Sequence, residues 1–203
     1  MTRVGWIVLG LILLTAALFA SVVRFGGSAP RARTSRPAPV LPDAPRADGL
    51  PRLAVPVVGV ARGQIVDTWG QARGEGRQHH GTDIMAPGGR AVVAAAAGPV
   101  EKLFESRLGG TTLYQRTADG RWTLYYAHLA GYAPGMREGR VLHPGELLGY
   151  VGDTGDAGPG NYHLHFSIGR LHPGQRWWQA QDVNAFPALH GGDDRLGSAR
   201  ANR

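Results

Sequence analysis

His163-Leu164-His165-Phe166-Ser167-Ile168 is a run whose reading depends on twos. In an extended strand successive side chains point to opposite faces. Leu164 and Phe166 then point into a core, while His163 and His165 share the other face. Two imidazoles side by side can share a metal, or one can bind it while the other works on substrate. A plain pair of surface histidines is the competing reading of so short a motif.

Working outward, further short β-type runs lie at Leu53–Val60, Ala91–Ala97, Val100–Phe104, Thr111–Arg116, Trp122–His128 and Glu146–Val151. Ile84-Met85 is also strand-like. Turn signals separate them: Pro87-Gly88-Gly89, Gly109-Gly110, Asp119-Gly120, Pro134-Gly135, Pro144-Gly145 and Gly158-Pro159-Gly160. No segment from Leu53 onward keeps a 3.6-residue apolar period for three turns. The pattern predicts a mainly β domain of antiparallel strands over residues 53–189. That length is enough for one buried core.

The remainder of the 203-residue chain is of another kind. Val4–Val23 is apolar and uncharged, and a bilayer-spanning helix needs about 20 such residues. Its length favours an uncleaved transmembrane signal-anchor over residues 1–24 rather than a cleaved signal peptide. Residues 25–52 are rich in Gly, Pro, Ala, Ser and Arg and cannot bury enough apolar surface to offset ordering entropy. They read as a flexible linker, and residues 190–203 read as a disordered tail. Of the formal charge of +7, residues 24–52 carry +4, Arg3 carries one, and +2 remains for residues 53–203. The basic character belongs largely to the tether, which argues against a nucleic-acid binder. Arginines beyond the apolar run would place the linker in the cytoplasm by a positive-inside count. The chemistry of the domain points instead to the outer side of the membrane. The chain has no cysteine, so any zinc must be held by histidine and carboxylate.

Two further segments carry candidate ligands. His79 and Asp83 stand four apart across a glycine-containing turn, with His80 a rival by proximity. His128 ends the apolar, aromatic run Trp122–Ala127, where a polar residue can line a cleft. Three N/O ligands with a fourth position open are how a catalytic zinc is built.

The conjunction is more specific than any one segment. Gly76-Arg77-Gln78-His79-His80-Gly81-Thr82-Asp83, Tyr126-Ala127-His128-Leu129 and His163-Leu164-His165 follow one another in this order. Ala86-Pro87-Gly88-Gly89 with Val92-Val93-Ala94, and Gly149-Tyr150-Val151-Gly152-Asp153-Thr154-Gly155, flank them. Over about Val57–Ile168 the chain resembles the lysostaphin-type (LytM-like) zinc metallopeptidases. The resemblance implies that His79, Asp83 and His165 bind one zinc ion, with the match to Gly76 selecting His79 over His80. It implies that His128 and His163 are catalytic and do not bind the metal. It also implies a small antiparallel β-sheet domain with an open groove, and peptidoglycan peptides as substrate. Asn161-Tyr162 stands where the family commonly has Gly-Pro, and Ser167 where Glu is common; Tyr162 is expected to alter one wall of the groove. His143, His172 and His190 fall outside the motifs and read as surface residues. Trp177-Trp178 can cover an edge of the core or line the groove, and core packing is the favoured reading.

The expected activity is therefore that of a membrane-tethered zinc endopeptidase acting on bacterial peptidoglycan outside the cytoplasmic membrane. Two rivals are a metal-free, wall-binding activator of amidases and a zinc peptidase with a non-wall substrate. Loss of ligands would mark the first, and all five residues are present.

Overall fold

The computed structural model describes residues 49–191, the side chain of Glu75 excepted. The expected anchor, nearly all of the linker and nearly all of the tail lie outside the described residues. Among the described residues no helix is long and apolar enough to cross a membrane.

The described chain is mainly β. In order it forms β1 (Thr82–Met85), β2 (Ala91–Val93), β3 (Gly98–Ser106), β4 (Gly110–Arg116) and β5 (Trp122–Tyr132). β6 (Val141–Leu142), β7 (Leu147–Val151), β8 (His163–Arg170) and β9 (Gln181–Val183) follow, then a short helix α1 (Phe186–His190). Every pairing between these strands is antiparallel. The sheet runs β1-β8-β5-β4-β3-β6, with β7 joining β2 to β5 and β9 pairing with β8.

The central strand β5 changes partner along its length. Trp122 to Ala127 pair with β8, whereas Leu129 to Tyr132 pair with β7. β8 is shared in turn: its first half pairs with β1 and its last residues with β9. The junction of these changes falls beside the histidine motifs.

The two-residue period of β8 is realised. Leu164, Phe166 and Ile168 are fully buried with Ile84, Leu113, Leu124, Tyr126 and Leu129. Each such apolar side chain contributes about 1.5–3 kcal/mol relative to exposure. The phenol of Tyr126 is satisfied inside this core: it donates to Gln115 Oε1 and accepts from the amide of Ala95, both at 2.9 Å. Gln115 Nε2 donates in turn to the Ala96 carbonyl at 2.8 Å. A buried polar chain that is fully paired fixes one arrangement of the core rather than weakening it.

Several expected boundaries are corrected. Leu53–Val60 is not a strand, although Leu53 and Val57 are buried. Pro56 has no amide to give to a ladder, and Gly59 turns the chain at φ 83°. The segment is a strap along β2, held by Ala54 N–H to Ala95, Val58 N–H to Ala91 and Val93 N–H to Pro56, with one bridge at Val57–Val92. β2 stops at Val93 instead of Ala97, because the backbone of Ala94 and Ala95 bonds to Glu146, Gly145, Ala54 and the Tyr126 hydroxyl. β6, β9 and α1 carry too few residues to give a period and were not expected.

Candidate active site

The site grows from the β1–β8 pairing. Asp83 lies directly opposite His165, and Met85 opposite His163. Side chains of directly opposed residues stand on the same face, so the register brings the Asp83 carboxylate to the His165 ring. His79 arrives from the loop before β1. Its backbone is clamped to Gln71 and Gly70, and its Nδ1–H donates to the Thr68 carbonyl at 2.7 Å. Since a carbonyl only accepts, this bond leaves Nε2 as the lone-pair nitrogen of the neutral ring. Thr68 also accepts the Asp83 amide on its Oγ1 at 2.9 Å, so one residue orients both.

Three ligand atoms converge as a result. His79 Nε2 lies 2.9 Å from His165 Nδ1, and Asp83 Oδ1 lies 3.1 Å from each of them. A tetrahedral zinc with bonds of about 2.0–2.1 Å separates its ligand atoms by roughly 3.3 Å. The triangle is close to that size and is made of a carboxylate and imidazoles, so these residues fit zinc. Its protonation also fits, because metal ligands must be deprotonated. Burial works to raise the Asp83 carboxyl, but the imidazoles of His165 and His79 beside it outweigh burial and hold the group well below the usual carboxylate range. Burial is the main cause that lowers His165. Gly81 permits the packing: a Cβ there would stand 2.5 Å from His165 Cε1.

The other two histidines stand beside this triangle. His163 donates Nδ1–H to the Asn161 carbonyl at 2.8 Å and turns Nε2 to within 3.8 Å of Asp83 Oδ1. His128 sits where β5 leaves β8 for β7. It has a left-handed backbone, φ 59°, rare outside glycine. Its amide bonds to Gly109 across a register shift between β4 and β5. Bulges of this kind re-aim side chains next to active sites. The ring is then fixed by Nδ1–H to the Thr154 carbonyl at 2.7 Å, 4.8 Å from the His163 ring between centroids. Thr154 is itself tied to Leu129 and Thr111. Gly110 makes room for it, since a Cβ at this φ 63° position would meet Thr154 Oγ1 at 2.2 Å. Burial pushes His128 down to about 4, so it is neutral at pH 7 with Nε2 free to accept a proton.

All five residues line one cleft of about 500 Å³. His80 lines it too but turns elsewhere: it stacks on Trp69 with centroids 5.1 Å apart and pairs with Asp182 at 3.1 Å. Tyr162 is exposed between Asn161 and His163, which both line the cleft, and its ring lies against Gly88. His143, His172 and His190 are exposed. The reading of Trp177-Trp178 as core is also corrected. Trp178 is 58 % exposed, and Trp177 is partly buried against Tyr114, whose ring leads through Tyr125 to His165. Sequence reasoning missed Thr68, Thr154 and Asn161, which orient the histidine rings through backbone carbonyls that leave no side-chain signature. It also missed Arg73, which bonds to Asp83.

Comparison with known proteins agrees with this geometry. The L-Ala–D-Glu endopeptidase of Bacillus subtilis (strain 168) is 39% identical over 108 residues, 50% of this chain and 33% of that protein. The peptidoglycan DD-endopeptidase ShyC of Vibrio cholerae is 29% identical over 103 residues, 51% of this chain and 23% of that protein. The chain thus spans a third or less of the length of these curated relatives. The catalytic domain of the antimicrobial peptidase lysostaphin from Staphylococcus simulans superposes with a TM-score of 0.52 at 26% identity, covering 62% of this chain and 90% of that domain. Residues 77–183, more than half of the sequence and the stretch that holds every candidate site residue, match the model of peptidase family M23; the chain belongs to that family.

Proposed function

We propose that this protein is a zinc-dependent endopeptidase that hydrolyses peptide bonds of bacterial peptidoglycan. The observation that carries the reading is the convergence of His79 Nε2, Asp83 Oδ1 and His165 Nδ1 beside His128 and His163 in an open cleft. His79, Asp83 and His165 would hold one zinc ion. When bound, the ion supplies activation of water and polarisation of the scissile carbonyl. His128 and His163 each present an Nε2 left free by an Nδ1 bond to a backbone carbonyl. One of them accepts the proton of the attacking water, and the imidazolium so formed returns it to the leaving amine. Once protonated, that ring also donates its Nε2–H to the carbonyl oxygen as charge develops there. The substrate lies outside the cytoplasmic membrane, so we place the domain on that side, tethered by the apolar segment at residues 1–24.

The L-Ala–D-Glu endopeptidase and the peptidoglycan DD-endopeptidase are named for different bonds, and the bond cut here is open to direct measurement. Digestion of purified peptidoglycan by the full chain, with mass analysis of the fragments, tests the reading. New fragments in zinc that vanish with a chelator and return with added zinc are expected. No cleavage by zinc-loaded, folded protein would overturn it in favour of an amidase activator or a peptidase of non-wall substrates.

A further inference from the structure

The two oxygens of Asp83 have different neighbours. Oδ1 faces the imidazole nitrogens of His79 and His165 at 3.1 Å. Oδ2 accepts from Arg73 Nη2. Arg73 comes from the loop before β1, not from any motif of the sequence. Its amide bonds to the Arg77 carbonyl at 2.8 Å, which closes a turn over Gly74–Gly76, and Ala72 bridges to Gln78. The loop that delivers His79 therefore also delivers a guanidinium to the other oxygen of the carboxylate. The Arg73 side chain is only 36 % exposed, and its Nε is buried with no partner. A donor left unpaired in this way is unfavourable. It marks a side chain placed for the contact that its Nη2 makes.

We infer that Arg73 is a positioning residue for zinc: it holds Oδ2 of Asp83 so that Oδ1 alone is offered to the ion. This inference rests on the zinc reading above. A carboxylate free to rotate can turn either oxygen, or both, toward a cation. Fixing one oxygen with a charged hydrogen bond removes that freedom before the metal arrives. Partners that hold a ligand's outer atoms are half of a metal site's design, and losing one costs about 10–100-fold in metal affinity. Thr68 plays the same part for His79 through its carbonyl, so two of the three candidate ligands are braced from the same loop region. Lysine does not reproduce the arginine contact, because it offers a point charge on a flexible stem rather than a rigid fork.

The test is a zinc titration of the full chain, purified in detergent, against a chromophoric chelator. Wild type, Arg73→Gln and Arg73→Lys are compared, with circular dichroism to establish that each is folded. Wild type should bind one zinc. Arg73→Gln should bind it roughly 10–100-fold more weakly, with Arg73→Lys in between. Raising free zinc should restore most of the turnover of both variants with KM unchanged, a pattern that a substrate-binding or merely structural arginine does not give. Zinc affinity within about twofold of wild type in a folded variant, on the scale of a neutral surface change, would overturn the inference. So would a KM effect that excess zinc does not remove. If Arg73→Gln fails to fold, Arg73→Lys decides by the same criteria. Failure of the wild type to bind zinc would overturn the zinc reading itself, a result distinct from either.

Discussion

The two halves of the cleft are built by different means. The half that holds His165 and Asp83 rests on regular pairing, with β1 and β8 in uninterrupted antiparallel register from Thr82–Phe166 to Met85–His163. The half that holds His128 rests on irregularity: a left-handed residue, a register shift and a strand that changes partner. Regular pairing brings two side chains together at low conformational cost but only where the pleat allows. The bulge places an imidazole where no pleated position would, and it needs Gly109, Gly110 and Thr154 to hold it. Regular pairing places His163 as well as Asp83 and His165, the loop before β1 places His79, and the irregular stretch places His128.

The comparison breaks most visibly if the ligand half is removed. Asp83→Ala and His165→Ala should each abolish zinc retention, measured by metal analysis after gel filtration, and reduce peptidoglycan cleavage to background. That loss should exceed the ~10²–10⁴-fold that one acid–base group supplies. Full activity in a verified metal-free variant would remove the mechanism. The next largest effect belongs to the two candidate proton carriers, His163 on the regular half and His128 on the irregular one. His128→Ala and His163→Ala should keep one zinc per chain and lose turnover by about 10²–10⁴-fold. Zinc loss in either would place that residue among the ligands, and a wild-type rate would remove it from the proton work.

The same contrast governs how far the site could be read in the sequence. Alternation alone sent Leu164 and Phe166 to the core and His163 and His165 to the opposite face, and the structure agrees. The spacing of His79 and Asp83 pointed to a pair, but choosing His79 over His80 needed the match to Gly76. In the structure the adjacent imidazole of His80 is drawn off by Trp69 and Asp182. His128 in isolation was an ordinary strand end, since a left-handed φ is dictated by tertiary pairing and not by the residue itself. Arg73 and the carbonyls of Thr68, Thr154 and Asn161 were invisible for a related reason: their contacts are set by loop paths that no periodicity encodes. The strap at Leu53–Val60 failed the other way, its apolar run suggesting a strand that Pro56 and Gly59 prevent.

Gly81 sharpens the comparison at the boundary between loop and register. It precedes β1, and an added Cβ would meet His165 at 2.5 and 2.7 Å and the Phe166 carbonyl at 3.1 Å. Gly81→Ala should cost about 1–3 kcal/mol by overpacking and weaken zinc binding, because the His165 ring is the movable neighbour. Thermal melts in zinc and in chelator separate the two contributions. A larger loss in zinc than in chelator is expected, and equal losses would show that the ring does not give way.

The smallest effect is expected at His80, and it tests the register that all the others assume. His80 is adjacent to a candidate ligand, lines the same cleft and is half exposed, yet its nitrogen contact is Asp182 on β9. Its removal deletes a surface ion pair and a ring stack, changes of ~0.5 kcal/mol or less at an exposed position. His80→Ala should therefore keep one zinc per chain and a cleavage rate within about twofold of wild type. If zinc is lost there and kept in His79→Ala, the loop before β1 offers His80 rather than His79 to the ion. Asp83 and His165, fixed by strand pairing, would keep their places, and only the corner of the triangle built on a loop would change.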